Sequence, residues 1–86
     1  MYTFQEREER VEAIRDLIYE AEKGIEETNE GLGLNRIEHI QDDYYCTEII
    51  DGDKEENLLD RIRELKASLI NLRFELAIER RLLLRM

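Results

Sequence analysis

Three groups of side chains have the types and spacing to do chemistry. Glu8, Glu9 and Glu12 place carboxylates at E-E-x-x-E spacing on a helical stretch, where oxygen ligands on one face suit a hard cation such as magnesium. His39, Asp42, Asp43 and Cys46 bring together an imidazole, two carboxylates and a thiol. These are donor types of a transition-metal site, and Cys46 with His39 has the composition of an activated thiol. Asp51, Asp53, Glu55 and Glu56 crowd acidic oxygens around Gly52, as a calcium loop does.

Each group has a plainer reading. The E-E-x-x-E spacing is similar to the metal-binding motif of the all-α nucleoside triphosphate pyrophosphatases, which implies magnesium on helix carboxylates. That family's further acidic pair at E-x-x-D spacing is missing, since Glu56 and Asp60 are four apart. Val11 belongs to an apolar stripe, which turns Glu9 and Glu12 outward as a solvated acidic face. One His and one Cys need further ligands from a second chain to hold a metal, and the acidic surroundings push a thiol's pKa the wrong way for a nucleophile. The segment around Gly52 lacks the ligand spacing of a calcium hand, and helix capping by Asp53 explains it. Phosphate loops, nucleophile elbows and paired-cysteine zinc patterns are not present in the sequence. The expectation is a chain with no catalytic residue, metal or cofactor, and not an enzyme.

Recognition is the better use for these residues. Tyr44 and Tyr45, flanked by Asp42 and Asp43, form an acidic aromatic tip, and tyrosine offers large contact area with few rotatable bonds. With Glu9, Glu12 and Asp16 they are the candidate partner-binding residues. Arg80, Arg81 and Arg85 suit the negative end of a helix dipole. They are also expected to form cross-helix ion pairs with Glu6 to Glu12, an intersubunit anion or nucleotide pocket being the alternative use.

Two long helices must position these groups. The first is predicted over about 4–30: Thr3 with Glu6 reads as a capping box, and Asn29-Glu30-Gly31 followed by Gly33 as the stop. Phe4, Val11, Ile18 and Ile25 repeat every seven residues, with Ile14 and Ala21 at the companion positions and Leu17 widening the stripe. Arg7 and Thr28 interrupt this seam, so the tightest packing is expected between Val11 and Ile25. The second helix is predicted over about 53–86. Leu58, Ile62, Leu65, Leu69, Leu72, Leu76, Leu83 and Met86 alternate by threes and fours, with one miss at Glu79. A second row, Ala67, Ile70, Phe74, Ala77 and Ile78, faces roughly the other way, and Leu82, Leu83 and Leu84 ring the helix end. One antiparallel partner covers one such face, so the rows from Leu65 to Leu84 are also the expected oligomer interface.

The connecting segment, 31–52, is too long to lack structure in a compact domain. Tyr44 to Ile50 favours a strand facing Arg36 to Gln41 across a Gln41-Asp42-Asp43 turn. The spacing of Leu34, Ile37 and Ile40 leaves a short helix as the alternative. All four glycines are read as lying near helix ends or turns.

The chain's 86 residues carry a net charge of −9, so a single domain with a small core is expected, stabilised by self-association. Residues 1–53 hold five basic and sixteen acidic side chains, and residues 54–86 hold eight and six. That balance argues against direct nucleic-acid binding. The N-terminus turns charged at once, unlike a signal peptide, and apolar runs are too short to span a membrane. The single cysteine points to a reducing cytoplasm. The expected fold is mainly α: an antiparallel helical hairpin with a β-hairpin or small helix in the connection, assembling into a bundle, most simply a homodimer. Its layout, helix then hairpin then helix, is similar to that of prefoldin subunits, which implies an adaptor or assembly role. Size and acidity are also similar to those of phage-encoded inhibitors of host or defence proteins, which implies binding to a basic protein surface. A metal- or nucleotide-binding bundle is the third class.

Overall fold

The structure is a computed structural model that describes residues 3–85. Helices α1 (Phe4–Leu34) and α2 (Gly52–Leu84) lie antiparallel, joined by a hairpin of β1 (Arg36–Gln41) and β2 (Tyr44–Ile49). The molecule measures 64 × 24 × 14 Å. Its thinnest dimension is close to that of one helix with side chains, about 10–12 Å, so the helices form a single layer.

The start of α1 follows the capping box: Thr3 Oγ1 accepts from the Glu6 N–H at 3.2 Å. Its end does not follow the predicted stop. The helix runs through Gly31 and Gly33 to Leu34, and the Asn35 N–H donates to Gly31 and Leu32 carbonyls, each at 3.1 Å. A glycine ends a helix when its backbone turns left-handed, and no glycine among the described residues has positive φ. Leu32 is buried, and Leu58 lies against Gly31, so packing on α2 carries the helix past its weak formers. Gly24 stands in mid-helix where α2 comes close: a Cβ there would meet Leu65 at 3.2 Å.

The start of α2 also differs. Asp51, not Asp53, is the cap, its Oδ1 accepting from the Lys54 N–H at 3.2 Å. Asp53 lies in the first turn, where its charge still favours the positive end of the dipole. Met86, assigned to the seam from sequence, lies outside the described residues.

The connection is the hairpin, and the short-helix alternative is overturned. Asp42 and Asp43 have φ of 48° and 67°, the two left-handed positions of a tight two-residue turn that matches strand twist. Register runs from Gln41 opposite Tyr44 to Arg36 opposite Ile49. That alternation sends Ile37 and Ile40 to opposite faces.

Ile14, Ala21 and Leu32 of α1 meet Ile62 and Leu69 of α2 as the buried core. Leu58, Leu65, Leu72, Leu76 and Leu83 are half-buried along the same seam. The tightest packing is not confined to Val11–Ile25 as expected, because Thr28 and Leu32 are as buried as Ile14 and Ala21. Thr28 is tolerated in the seam because its hydroxyl donates to the Gly24 carbonyl at 2.6 Å.

Candidate functional site

Two of the three interruptions of the hydrophobic seams, Arg7 and Glu79, meet each other. Arg7 Nη1 donates to Glu79 Oε2 and Arg10 Nε to Glu79 Oε1, both at 3.0 Å. Glu79 is buried at 8% exposure. Sequence reading marked Arg7 and Glu79 separately as defects. Opposite charge at two seam positions of antiparallel helices was the signal that paired them. The ion pairs expected from Arg80, Arg81 and Arg85 to Glu6 through Glu12 run the other way at this end: α1 supplies the guanidiniums and α2 the carboxylate. Arg80 instead lines an open groove of about 420 Å³ beside Glu8, Val11, Glu12 and Arg15.

At the opposite end Glu55 roots the hairpin. Arg36 donates to its Oε1 through Nε at 2.6 Å and through Nη2, and Asn35 Nδ2 donates to its Oε2 at 3.1 Å. The same Asn35 side-chain amide donates to the Asp51 backbone carbonyl at 2.9 Å, and the Asn35 backbone carbonyl accepts from the Ile50 N–H at 2.9 Å. Arg36 first, with help from Asn35, holds the Glu55 carboxyl below the usual carboxylate range against the upward push of burial. End of α1, root of the hairpin and start of α2 are thus tied by one buried amide and one buried carboxylate.

Beyond that root the hairpin is solvated on both faces. Tyr44 is 74% and Tyr45 64% exposed, with Asp42 and Asp43 exposed beside them. A hydrogen bond to Glu38 raises the Tyr45 phenol above its ordinary pKa. The sequence expectation that one tyrosine of the pair packs in a core is not met, because a two-stranded sheet without a covering layer has no buried side. Left-handed backbone at two consecutive aspartates is less favourable than at the Asn-Gly this turn prefers. Such strain at an exposed tip motivates a functional reading of the carboxylates there.

Glu9, Glu12 and Asp16 are all exposed. Glu20, Glu27 and Glu30 continue the stripe at helical spacing, on the face of α1 turned away from α2. His39 and Cys46 face each other across the strands in register, but among the described residues no group of three or more His, Cys, Asp or Glu is placed to hold a metal ion.

The expected interface rows separate. Leu65, Leu69, Leu72, Leu76 and Leu83 lie along the α1-facing seam, and Leu82 is half-buried beside it. Ile70 and Phe74 are each 67% exposed, Ile78 is 43% exposed, and Ala77 and Leu84 are exposed with them. This outward row is the largest apolar feature left uncovered on α2. No described helix is long and apolar enough to cross a membrane. Compared with known proteins, the chain matches no family model, no curated protein and no solved structure.

Proposed function

We propose that this chain is a small, acidic, non-enzymatic helical oligomer that binds another protein through a basic surface on that partner and thereby inhibits or modulates it. The observation that carries the reading is the acidic surface itself: an exposed carboxylate stripe along α1 continuing to an exposed Asp-Asp-Tyr-Tyr tip. Glu9, Glu12, Asp16 and Glu20 present about one carboxylate per turn, roughly every 5 Å. A nucleic-acid strand carries one phosphate per ~3.4 Å. The stripe is thus a sparser but comparable line of negative charge, suited to occupying a site built for a phosphate backbone. A phage-type inhibitor of a host or defence protein is the most concrete form of this reading.

A structural adaptor is the second reading, favoured by the uncovered row Ile70, Phe74 and Ile78 and by hairpin strands with free edges. Salt separates the two. An electrostatic partner is lost steeply between low and high ionic strength, whereas an apolar one barely responds.

The decisive variant is Asp42→Asn with Asp43→Gly, which installs the preferred residues for this turn while removing both tip carboxylates. Its hairpin is expected to be at least as stable. Capture of the basic partner from the native host is expected to fall at least several-fold, as it does for Glu9→Gln with Asp16→Asn. Full capture by both variants at every salt concentration would leave the acidic surface without a role.

A further inference from the structure

The shape and charge of the layer bear on how a second copy would lie against it. Two helices form one layer 14 Å thick, whereas a domain packs at least two. The accessible surface is 7048 Å², against about 5,400 Å² for a compact monomer of this mass. The excess, roughly 1,600 Å², is larger than the ~800 Å² one partner contributes to a standard interface.

Charge chooses the orientation. Between their ends α1 carries ten carboxylates and four basic side chains, and α2 carries seven of each. A two-fold axis perpendicular to the helices stacks α1 on α1 and so sets one net-acidic helix against another. An axis parallel to the helices lays α2 on the partner's α1 and keeps the axial levels of the hairpin itself. Within the chain Arg10 lies opposite Glu79, Gly24 opposite Leu65 and Gly31 opposite Leu58. Each pair of numbers adds to 89, and the longer reaches of Arg7 to Glu79 and Arg73 to Glu22 bracket it at 86 and 95, so residue n of α1 is level with about residue 89 − n of α2.

Carried across the parallel axis, the same rule matches charge to charge and apolar to apolar. Arg81 comes level with Glu8 of the partner subunit and Arg63 with Glu26 of the partner subunit. Ile70 comes level with Tyr19 of the partner subunit. Phe74 comes level with Arg15 of the partner subunit, an arrangement in which guanidinium and ring attract. Helical spacing puts the members of each pair on the same side of the layer. The groove containing Val11, Arg15 and Leu84 opens on that side.

We propose that two copies pack face to face about an axis parallel to their helices, α2 of each on α1 of the other, so that both hairpins emerge at one end. This rests on the reading of the chain as a homo-oligomer, and it turns one acidic aromatic tip into a paired one.

Cys46 is the sole cysteine and is half-buried on the hairpin, which makes it a native reporter. Light scattering on the full chain comes first, and a monomer at all concentrations would overturn both the oligomer reading and this arrangement. Spin labels on Cys46 of a dimer then measure the tip separation. Both tips at one end predicts a distance of roughly 30 Å or less for helices spaced ~10 Å apart. A separation near the 64 Å length of the molecule would overturn the arrangement and leave the oligomer standing. Arg81→Glu is expected to weaken the dimer roughly tenfold with helicity unchanged, and adding Glu8→Arg to restore it. Failure of the second change to restore a weakened dimer counts against the pairing.

Discussion

Replacing Glu79 by glutamine tests whether the two seam defects form a designed pair. The substitution keeps the side chain's shape and removes its charge. Arg7 and Glu79 side chains are 16% and 11% exposed, so their hydrogen bond is largely shielded and worth about 1.5–3 kcal/mol as a charge-assisted contact. A neutral replacement is worth about 0.5–1.5 kcal/mol, so roughly 1–1.5 kcal/mol is lost there. Arg10 is 47% exposed, and solvent screening reduces its share to a few tenths of a kcal/mol. The total, about 1.5 kcal/mol, corresponds to a fall in Tm of roughly 6–12 °C for a domain of this size. The assay is thermal unfolding followed by circular dichroism at one fixed protein concentration, since self-association makes Tm concentration-dependent. A companion chain with Arg7→Leu and Glu79→Leu completes both apolar seams and is expected to match or exceed the wild type, as buried ion pairs replaced by packed hydrocarbon often do. In the double-mutant cycle the single changes should couple by about 1 kcal/mol or more. A Tm within ~2 °C of wild type for Glu79→Gln, or strict additivity of the two leucine changes, would refute the pairing.

The pH dependence of Glu55 has a definite sign. Its folded pKa lies below its unfolded value because of Arg36, so it contributes stability above the unfolded pKa and loses it as pH falls through the folded one. The Tm difference between wild type and Glu55→Gln is therefore widest near neutrality and narrows only as pH falls below the ordinary carboxylate range, through the depressed folded pKa; a difference that does not narrow on acidification would contradict the Arg36 assignment. Gly33 is helical and exposed with open space where a Cβ would stand. Gly33→Ala is expected to stabilise by about 0.5–1 kcal/mol, read as a Tm higher by a few degrees. Gly24→Ala gains less or loses, because Leu65 must give way at 3.2 Å.

Element types were legible from the sequence because period decided them. The three-four alternation from Leu58 to Leu83 decided the second helix, whereas the run from Tyr44 to Ile49 favoured a strand and the spacing of Leu34, Ile37 and Ile40 kept a short helix open. Boundaries failed where tertiary contact outweighed local preference. Gly31 and Gly33 read as a stop, but Leu32 is buried against α2 and holds one further turn of helix. Asp51 and Asp53 have equal credentials as caps, and only the backbone shows which side chain reaches a free N–H. The polar anchors were the least legible part. Arg7, Glu79, Asn35, Arg36 and Glu55 lie far apart in sequence, and their complementarity exists only once the register between the helices is known. The acidic tip and stripe were legible because solvent exposure follows from charge and from the apolar pattern of neighbours.

These anchors also explain why the hairpin has one register. An a/d seam alone tolerates a slip of seven residues, since leucine meets leucine again after each heptad. Such a slip would carry Glu79 about 10 Å from Arg7 and Glu55 equally far from Arg36, leaving two buried carboxylates without their guanidiniums. Neither penalty can be relieved without restoring the other pair, because the anchors sit at opposite ends of the same two helices. Gly24 adds a third constraint, as any side chain there would press on Leu65 at 3.2 Å. The register so fixed sets the level of every outward side chain, including Arg81 with Glu8 and Arg63 with Glu26. It also determines that the Asp42–Tyr45 tip projects beyond the helices rather than folding back on them. The buried charges therefore reach beyond their own contacts: they choose the alignment from which both the acidic surface and the outward apolar row take their geometry.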